Sequence, residues 1–263
     1  MEIRTQIHGF HIVEPSPWPI TARLGSGFLT RALVSLFIAP SYRLIIISLS
    51  VISLRRYQWW RDVAREATIQ GWHTVQVQIG MRGGIMLFIV SEVIFFFSFF
   101  WAYFNNSLGY CLETGLTWPP TGITALNPFG VPLLNTVILL TSGLTVTACH
   151  HYILSGVFKK ANIYLTITVR LGIYFLILQG VEYNTRRFTM ADSAYGSIFF
   201  VATGFHGMHV IVGSVYLLVS LFRIIKGQIS STHHFGLEGA IWYWHFVDVV
   251  WIFLFISIYW WGA

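Results

Sequence analysis

Ionisable side chains inside long apolar runs are the residues of this sequence best suited to chemistry. Glu92 lies near the middle of one such run, and Arg170 lies inside another. A charge at the centre of a bilayer costs about 2.5 to 3.5 kcal/mol on insertion scales, so each is a functional candidate. Glu92 could exchange protons, or it could be a protonated carboxyl hydrogen-bonded to a neighbouring helix. Arg170 stays charged, so we expect a carboxylate or a lipid headgroup beside it, with Glu92 as one candidate partner.

Histidines form the second group of candidates. His206 and His209 are three residues apart and share one face of a helix. A haem held by two histidines needs ligands at one depth on two helices, whereas His245 is predicted near a helix end and His206 near mid-membrane. The glycines flanking His206 instead allow close helix approach. We therefore predict interhelical hydrogen bonds in preference to metal ligation. Two further histidines lie near the ends of apolar runs: His150 and His151.

Cations and aromatic residues gather where apolar runs end. One group contains Trp59, Trp60, Arg61, Arg65, Glu66 and His73, and another contains Arg223, Lys226, His233 and His234. Such groups at headgroup depth can hold anionic lipid phosphates, although ordinary positive-inside residues would give the same composition. The sequence contains no phosphate-binding glycine-rich loop, dinucleotide fingerprint, Cys-x-x-Cys pair or nucleophile elbow. No catalytic residue is predicted in this chain.

Long apolar segments must position these residues. The 263-residue chain is 55% apolar and 10% charged, whereas soluble domains average about 25% charged, so its solvent must be lipid. About 20 apolar residues cross a bilayer. Five runs meet that length: 83–111, 127–158, 161–181, 193–222 and 239–263.

The amino-terminal third gives a weaker signal. Arg23 and Arg31 interrupt the run 19–39, and the run 44–54 has only eleven residues. Two short helices fit if the arginines near their ends extend to the interface. An interfacial aromatic belt would then follow the second helix, formed by Tyr57, Trp59 and Trp60.

Together the runs predict an all-α membrane protein with seven transmembrane helices in one domain, 1–263. Helices one and two occupy about 17–66, and helices three to seven about 73–262. Seven spans put nine cations on one face: Arg4, Arg55, Arg56, Arg61, Arg65, Lys159, Lys160, Arg223 and Lys226. Three fall on the other: Arg43, Arg186 and Arg187. Because translocation of cations is disfavoured, we expect the N-terminus inside and the C-terminus outside.

Several strings carry a family resemblance. They are HGFHIVEPSPWP at 8–19, YQWWRDV at 57–63, LFIVSEV at 87–93, FVATGFHG at 200–207, WYWHFVDVVW at 242–251 and YWWG at 259–262. With these strings the sequence resembles subunit III of the mitochondrial haem-copper cytochrome c oxidases over nearly its whole length, least from 21 to 53. It departs from that family at 185–188, where Glu-Ala-Pro-Phe is replaced by Thr-Arg-Arg-Phe.

The resemblance implies a non-catalytic core subunit of the complex that reduces O₂ to water with electrons from cytochrome c while pumping protons. It implies two helix bundles, 1–2 and 3–7, separated by a V-shaped, lipid-filled cleft. Subunit I, the main partner, would hold the haems and copper, with accessory subunits nearby and no cofactor in this chain. Glu92 matches the family's intramembrane glutamate. Positions that match lipid-lining residues are Trp60, Glu66, His73, Arg223, Lys226 and His233.

The implied role is to stabilise subunit I, bind phospholipid and support proton uptake in the mitochondrial inner membrane. The N-terminus would lie in the matrix and the C-terminus in the intermembrane space. Two alternatives from other classes are an independent carrier or channel and a haem-binding electron carrier. Broken helices or paired polar pores would favour the carrier, and neither is evident in the sequence. A Soret band in the isolated chain would favour the electron carrier.

Overall fold

Seven α-helices and no strand make up the part of the chain that the structure, a computed structural model, describes: residues 8–38, 42–109 and 115–262. The helices are α1 Trp18–Ile38, α2 Arg43–Thr68, α3 Val75–Leu108, α4 Val131–Leu154, α5 Phe158–Thr185, α6 Ala194–Ile225 and α7 Phe235–Leu254, followed by a π-helical segment, Phe255–Trp260. The predicted all-α class is confirmed. The chain divides into two compact units: unit one is Met1–Met81 and unit two is Arg82–Ala263.

Five of the described helices, α3 to α7, are long and apolar enough to cross a membrane. They coincide with the five long runs of the sequence. Among the described residues α1 and α2 do not reach that hydropathy. The exposed Arg23 and Arg31 interrupt the apolar sequence of α1, and the carboxyl-terminal half of α2 is highly charged.

Unit one is built on an antiparallel pair, α1 and α2. The indole Nε1 of Trp18, at the start of α1, donates to Asp62 Oδ2 near the end of α2 at 2.7 Å. Small residues let the helices approach: Ala22, Gly25 and Ala32 are the buried residues of α1. A Cβ at Gly25 would lie 3.0 Å from Ile52.

The ends of α2 and α3 correct the predicted boundaries. Helix two was predicted to end at about residue 66, and α2 continues to Thr68. Arginine, glutamine, alanine and glutamate are strong helix formers, and they carry the helix past its apolar part. Helix α3 begins at Val75, two residues after the predicted start at about 73, and ends at Leu108.

Unit two has an aromatic core centred on α7. Trp244 and Trp251 are fully buried. The Trp244 indole donates to Ser142 Oγ at 2.8 Å, and the Trp251 indole donates to Thr136 Oγ1 at 3.0 Å. Both acceptors belong to α4, so buried indole N–H groups fix α7 against α4.

The phenylalanine-rich end of α3, residues 95–104, has exposed and buried side chains. Phe97 and Trp101 are 68% and 64% exposed. Phe96 and Tyr103, by contrast, are buried in the core of unit two. They are seven residues apart and therefore lie on one face of the helix, so the run has one packed face and one open face.

Candidate functional site around Glu92

Glu92 lies at the centre of α3. It is 17 residues after Val75 and 16 before Leu108, which places it roughly 25 Å from either end at 1.5 Å per residue. Its carboxylate Oε2 is 2.9 Å from Nε2 of His209 on α6. The side chains are 22% and 13% exposed, respectively. The intramembrane carboxyl therefore has a partner on another helix.

The tautomer of His209 follows from its second hydrogen bond. Its Nδ1 lies 2.7 Å from the carbonyl oxygen of Phe205. A carbonyl can only accept, so Nδ1 carries a proton. The contact between Nε2 and Glu92 then needs one further proton, on the ring or on the carboxyl. In both forms the pair is neutral overall, and it holds one proton that can lie on either atom.

Aromatic rings enclose the histidine side of the pair. Phe96 and Tyr243 lie with ring centroids 5.0 and 6.2 Å from the His209 ring. The other side opens into an apolar groove of about 340 Å³. Its lining consists of Glu92, Phe95, Phe205, Met208, His209, Val212 and Tyr243. The proton-bearing pair is therefore partly accessible from the surface of unit two.

The other intramembrane histidines also bond between helices. His206 is buried, and its Nε2 lies 3.2 Å from the carbonyl oxygen of Val247 on α7. His245 Nε2 on α7 lies 3.3 Å from Thr147 Oγ1 on α4. With the bond from His209 to Glu92, these contacts confirm the predicted interhelical hydrogen bonds of His206 and His209.

Arg170 does not pair with Glu92, so that candidate partnership is wrong. Glu92 bonds His209, and Arg170 lies exposed on α5. Among the described residues no carboxylate lies within ion-pair distance of its guanidinium. A carboxylate, one of the two neighbours expected beside Arg170, is therefore absent from the described part of the chain, and a lipid headgroup there stays a prediction.

In unit one, two of the predicted lipid-binding residues line a common cavity. It has a volume of about 760 Å³, and Glu66 and His73 both line it. Trp60 does not line it; the neighbouring Trp59 does, while Trp60 is 62% exposed on another face of α2. Glu66 Oε2 lies 4.0 Å from Nε2 of His11.

The same cavity holds a charged cluster at the polar end of α2. Asp62 accepts hydrogen bonds from Trp18 and from Arg61 at 2.7 and 2.9 Å, and Arg65 lies 4.0 Å away. Partial burial alone would raise the pKa of the Asp62 carboxyl. The two hydrogen bonds and the charges of the arginines outweigh that effect and lower its pKa.

The other predicted lipid-binding residues lie near the junction of α6 and α7 in unit two. Arg223 is in the last turn of α6, and Lys226 directly follows that helix. His233 precedes α7, and its backbone N–H donates to Ser230 Oγ at 2.9 Å. Arg223 packs over the start of α7, where a Cβ at Gly236 would lie 2.8 Å from Nη1.

A buried polar network at the carboxyl-terminal end of α5 was not predicted. Arg186 forms an ion pair with Glu182, and Tyr259 donates to the same carboxylate oxygen at 2.9 Å. The Arg186 guanidinium lies 3.6 Å from the ring centroid of Phe199. The spacing of four between Glu182 and Arg186 is visible in the sequence, but the third partner is 77 residues away.

Comparison with known proteins identifies the family of this chain. The sequence profile described as "Cytochrome c oxidase subunit III" matches residues 8–263. Proteins named "Cytochrome c oxidase subunit 3" from Formosania lacustris and Latimeria chalumnae are each 55% identical over 258 residues, covering 98% of this chain and 99% of theirs. The relative from Xenopus laevis is 56% identical over the same length. The chain belongs to the cytochrome c oxidase subunit III family.

Membership makes the chain part of respiratory complex IV, which is an oxidoreductase. The resemblance inferred from the six sequence strings is thereby confirmed. The apolar helices fit a membrane protein, and a respiratory subunit of this family belongs to the mitochondrial inner membrane. The Glu92–His209 pair and the two groups of predicted lipid-binding residues, at the unit-one cavity and at the junction of α6 and α7, must therefore be interpreted as parts of a subunit embedded in lipid.

Proposed function

We propose that this subunit III chain supports proton uptake by complex IV through the Glu92–His209 pair and has no redox centre of its own. The observation that carries the proposal is the 2.9 Å contact between Glu92 Oε2 and His209 Nε2 at mid-membrane, which requires one shared proton when Nδ1 donates to the Phe205 carbonyl. The shared proton can move between the two atoms without changing the net charge of the pair, and a proton taken up from one side replaces the one released, so no lasting net charge, which would be costly in the bilayer, is left. The groove beside it gives water, lipid or a partner subunit access to that proton.

The proposed main partner is subunit I, which would hold the haems and copper. The open face of α3 supports this, because Phe97 and Trp101 are large apolar side chains exposed on this helix. Packing that surface against another subunit would stabilise both. We also propose that α1 and α2 cross the membrane with their apolar parts, which gives seven spans and places the N-terminus in the matrix.

Replacement of Glu92 tests the proton role in the assembled complex. Glu92→Gln removes the exchangeable proton and keeps the shape of the side chain. We expect electron transfer from cytochrome c to O₂ to remain largely intact, while protons pumped per electron fall. Oxygen consumption and pH changes in reconstituted vesicles measure the two quantities separately.

Ser91→Ala is the matched control, since the Ser91 hydroxyl donates to the Phe88 carbonyl of its own helix. It should leave the pumping ratio unchanged. His209→Gln should reproduce the effect of Glu92→Gln, because it removes the other half of the pair. An unchanged pumping ratio in both Glu92→Gln and His209→Gln would refute the proton role, and loss of all haem absorbance would point to a structural role instead.

We further propose that anionic phospholipids bind at the two groups of predicted lipid-binding residues, one in each unit. In unit one, Glu66 and His73 would serve at the cavity and Trp60 on another face of α2. In unit two, the residues would be Arg223, Lys226 and His233. Support comes from the cavity of about 760 Å³ beside cationic and aromatic side chains, and from the two cations at the end of α6. Phosphate oxygens suit such donors at headgroup depth.

The lipid proposal is tested by counting phospholipid per haem in purified complex. Arg223→Gln with Lys226→Gln should lower the amount of retained anionic lipid. Lys159→Gln, an exposed cation at the start of α5, is the control. Equal lipid content in the double variant and the control would exclude Arg223 and Lys226 from lipid binding.

A further inference from the structure

A cluster of three side chains joins α4 to α7 in unit two. His150 is near the end of α4, His234 directly precedes α7, and Glu238 is in the first turn of α7. One donor atom from each lies within 4.8 Å of the other two. None of the three takes part in the Glu92–His209 pair or in the proposed lipid sites.

Among the described residues, two buried imidazole nitrogens of this cluster have no hydrogen-bond partner: His150 Nε2 and His234 Nε2. The His234 residue is only 7% exposed. Its Nδ1 lies 3.1 Å from the carbonyl oxygen of Ser230, so Nδ1 carries the proton and Nε2 of the neutral ring presents a lone pair. Metal-binding histidines commonly donate their other ring N–H to a backbone carbonyl in this way.

The carboxylate faces those nitrogens. Glu238 Oε1 lies 3.2 Å from His234 Nε2, but the two atoms are not aligned as a hydrogen bond. The His150 and His234 rings are 5.5 Å apart between centroids. Electron-rich atoms buried opposite one another are unfavourable unless a positive charge lies between them.

We propose that His150, His234 and Glu238 bind one divalent cation, and that the cation is Zn²⁺. Two imidazole nitrogens and one carboxylate oxygen suit zinc, whereas magnesium and calcium prefer oxygen ligands. Ligands at about 2.0 to 2.2 Å around a tetrahedral zinc lie about 3.4 Å from one another. Side-chain movements of about 1 Å would therefore close the site around the ion, and water would complete the coordination. The bound ion cross-links the end of α4 to the start of α7.

Arg82 sets the strength of this site. Its Nε donates to Glu238 Oε2 at 3.0 Å and its Nη2 donates to Oε1 at 3.2 Å. Each carboxylate oxygen has a second lone pair, so Oε1 can bind the ion while Arg82 stays in place. The guanidinium charge repels a dication and weakens binding. Arg82→Gln should therefore bind zinc more tightly, opposite to the effect of removing a ligand.

The test is a zinc titration of purified complex IV that contains this chain, stripped with a chelator and dialysed against Zn²⁺ alone. Zinc per haem is measured by elemental analysis. We expect His150→Gln and His234→Gln each to lose one zinc per complex, with binding weakened by more than about tenfold, since loss of even an outer-shell partner costs about 10- to 100-fold. X-ray absorption should show imidazole nitrogens at about 2.0 to 2.1 Å from zinc.

His151→Gln is the matched control, because His151 is the exposed neighbour of His150 on the same helix. It should keep the wild-type zinc content. Haem content and retention of the chain show that each variant is assembled, and Glu238→Gln replaces any histidine variant that fails to assemble. Equal zinc in the wild type and all ligand variants would overturn the proposal, and weaker binding in Arg82→Gln would overturn the role of Glu238.

Discussion

Arg186 is a cation whose side chain lies almost wholly inside the protein. It is 1% exposed, and its Glu182 partner is 2% exposed. The guanidinium lies within 6 Å of four aromatic rings, those of Tyr183, Phe188, Phe199 and Phe200. The sequence places two cations, Arg186 and Arg187, at the predicted outer face, where both side chains could have been open to solvent. Only Arg187 has that environment, because an aromatic cage and a carboxylate together compensate the buried charge of Arg186.

Arg186→Met should destabilise the subunit by about 3 to 5 kcal/mol, because it leaves the Glu182 charge buried without its partner. The expected measurement is a lower temperature for release of this subunit from purified complex. Arg187→Met, at the exposed neighbouring position, should change that temperature little. Adding Glu182→Gln to Arg186→Met should recover part of the loss. Equal release temperatures for Arg186→Met and Arg187→Met would contradict the prediction.

The partners of single residues were only partly visible in the sequence. Intramembrane position singled out Glu92, and spacing placed His206 and His209 on one helix face. The pairing of Glu92 with His209 joins residues 117 apart, so it depends on how α3 packs on α6. The cluster of His150, His234 and Glu238 was missed for the same reason. Its spacing of four between His234 and Glu238 was a signal, but the third member is on another helix.

At the scale of elements, apolar length predicted α3 to α7 well, whereas the ends of helices were less certain. Hydropathy reports where lipid can surround a helix, but it does not report where the helix ends. Helix α2 therefore extends through charged residues to Thr68. The π-helical segment Phe255–Trp260 was also not predicted. Tyr259 of this segment is buried and donates a hydrogen bond to Glu182 on α5. A contact between residues so far apart depends on helix packing, which a local sequence pattern does not encode.

Close packing of α5, α6 and α7 depends on two glycines that face one tryptophan. A Cβ at Gly172 would lie 2.6 Å from Cη2 of Trp244, and a Cβ at Gly213 would lie 2.9 Å from Cε3 of the same ring. Trp244 is fully buried and hydrogen-bonded to Ser142. Movement of the indole away from an added methyl group would therefore weaken its hydrogen bond to Ser142.

Gly172→Ala should lower the stability of the subunit by about 1 to 3 kcal/mol, the usual cost of overpacking a core. Gly180→Ala on the same helix is the control, since a Cβ there meets no atom within 4 Å. Alanine is a better helix former than glycine by about 0.8 to 1 kcal/mol, so Gly180→Ala should be neutral or slightly stabilising. Thermal release of the subunit from the complex compares the two variants. A Gly172→Ala variant as stable as Gly180→Ala would show that the ring can move.

At the scale of the whole molecule, the distribution of cations determines the expected orientation. The proposed matrix face carries Lys159 and Lys160 at the start of α5, Arg223 in the last turn of α6 and Lys226 directly after α6. The proposed outer face carries Arg186 and Arg187 after α5. Since Arg186 is buried in an ion pair, its charge contributes less to the asymmetry than the sequence count suggests. The bias toward the matrix is correspondingly stronger.

Single cysteines test this orientation in intact membranes. Lys159→Cys and Lys226→Cys place a thiol at exposed positions of the proposed matrix face, and Arg187→Cys places one on the proposed outer face. A membrane-impermeant maleimide added to mitoplasts, whose outer side is accessible, should label only Arg187→Cys. In inside-out particles it should label only the two lysine variants. Unsubstituted chain gives the background, in which Cys149 is buried. Labelling of Lys226→Cys in mitoplasts would show that the topology is the reverse of the proposed one. The side from which a proton could reach the Glu92–His209 pair would then also be reversed.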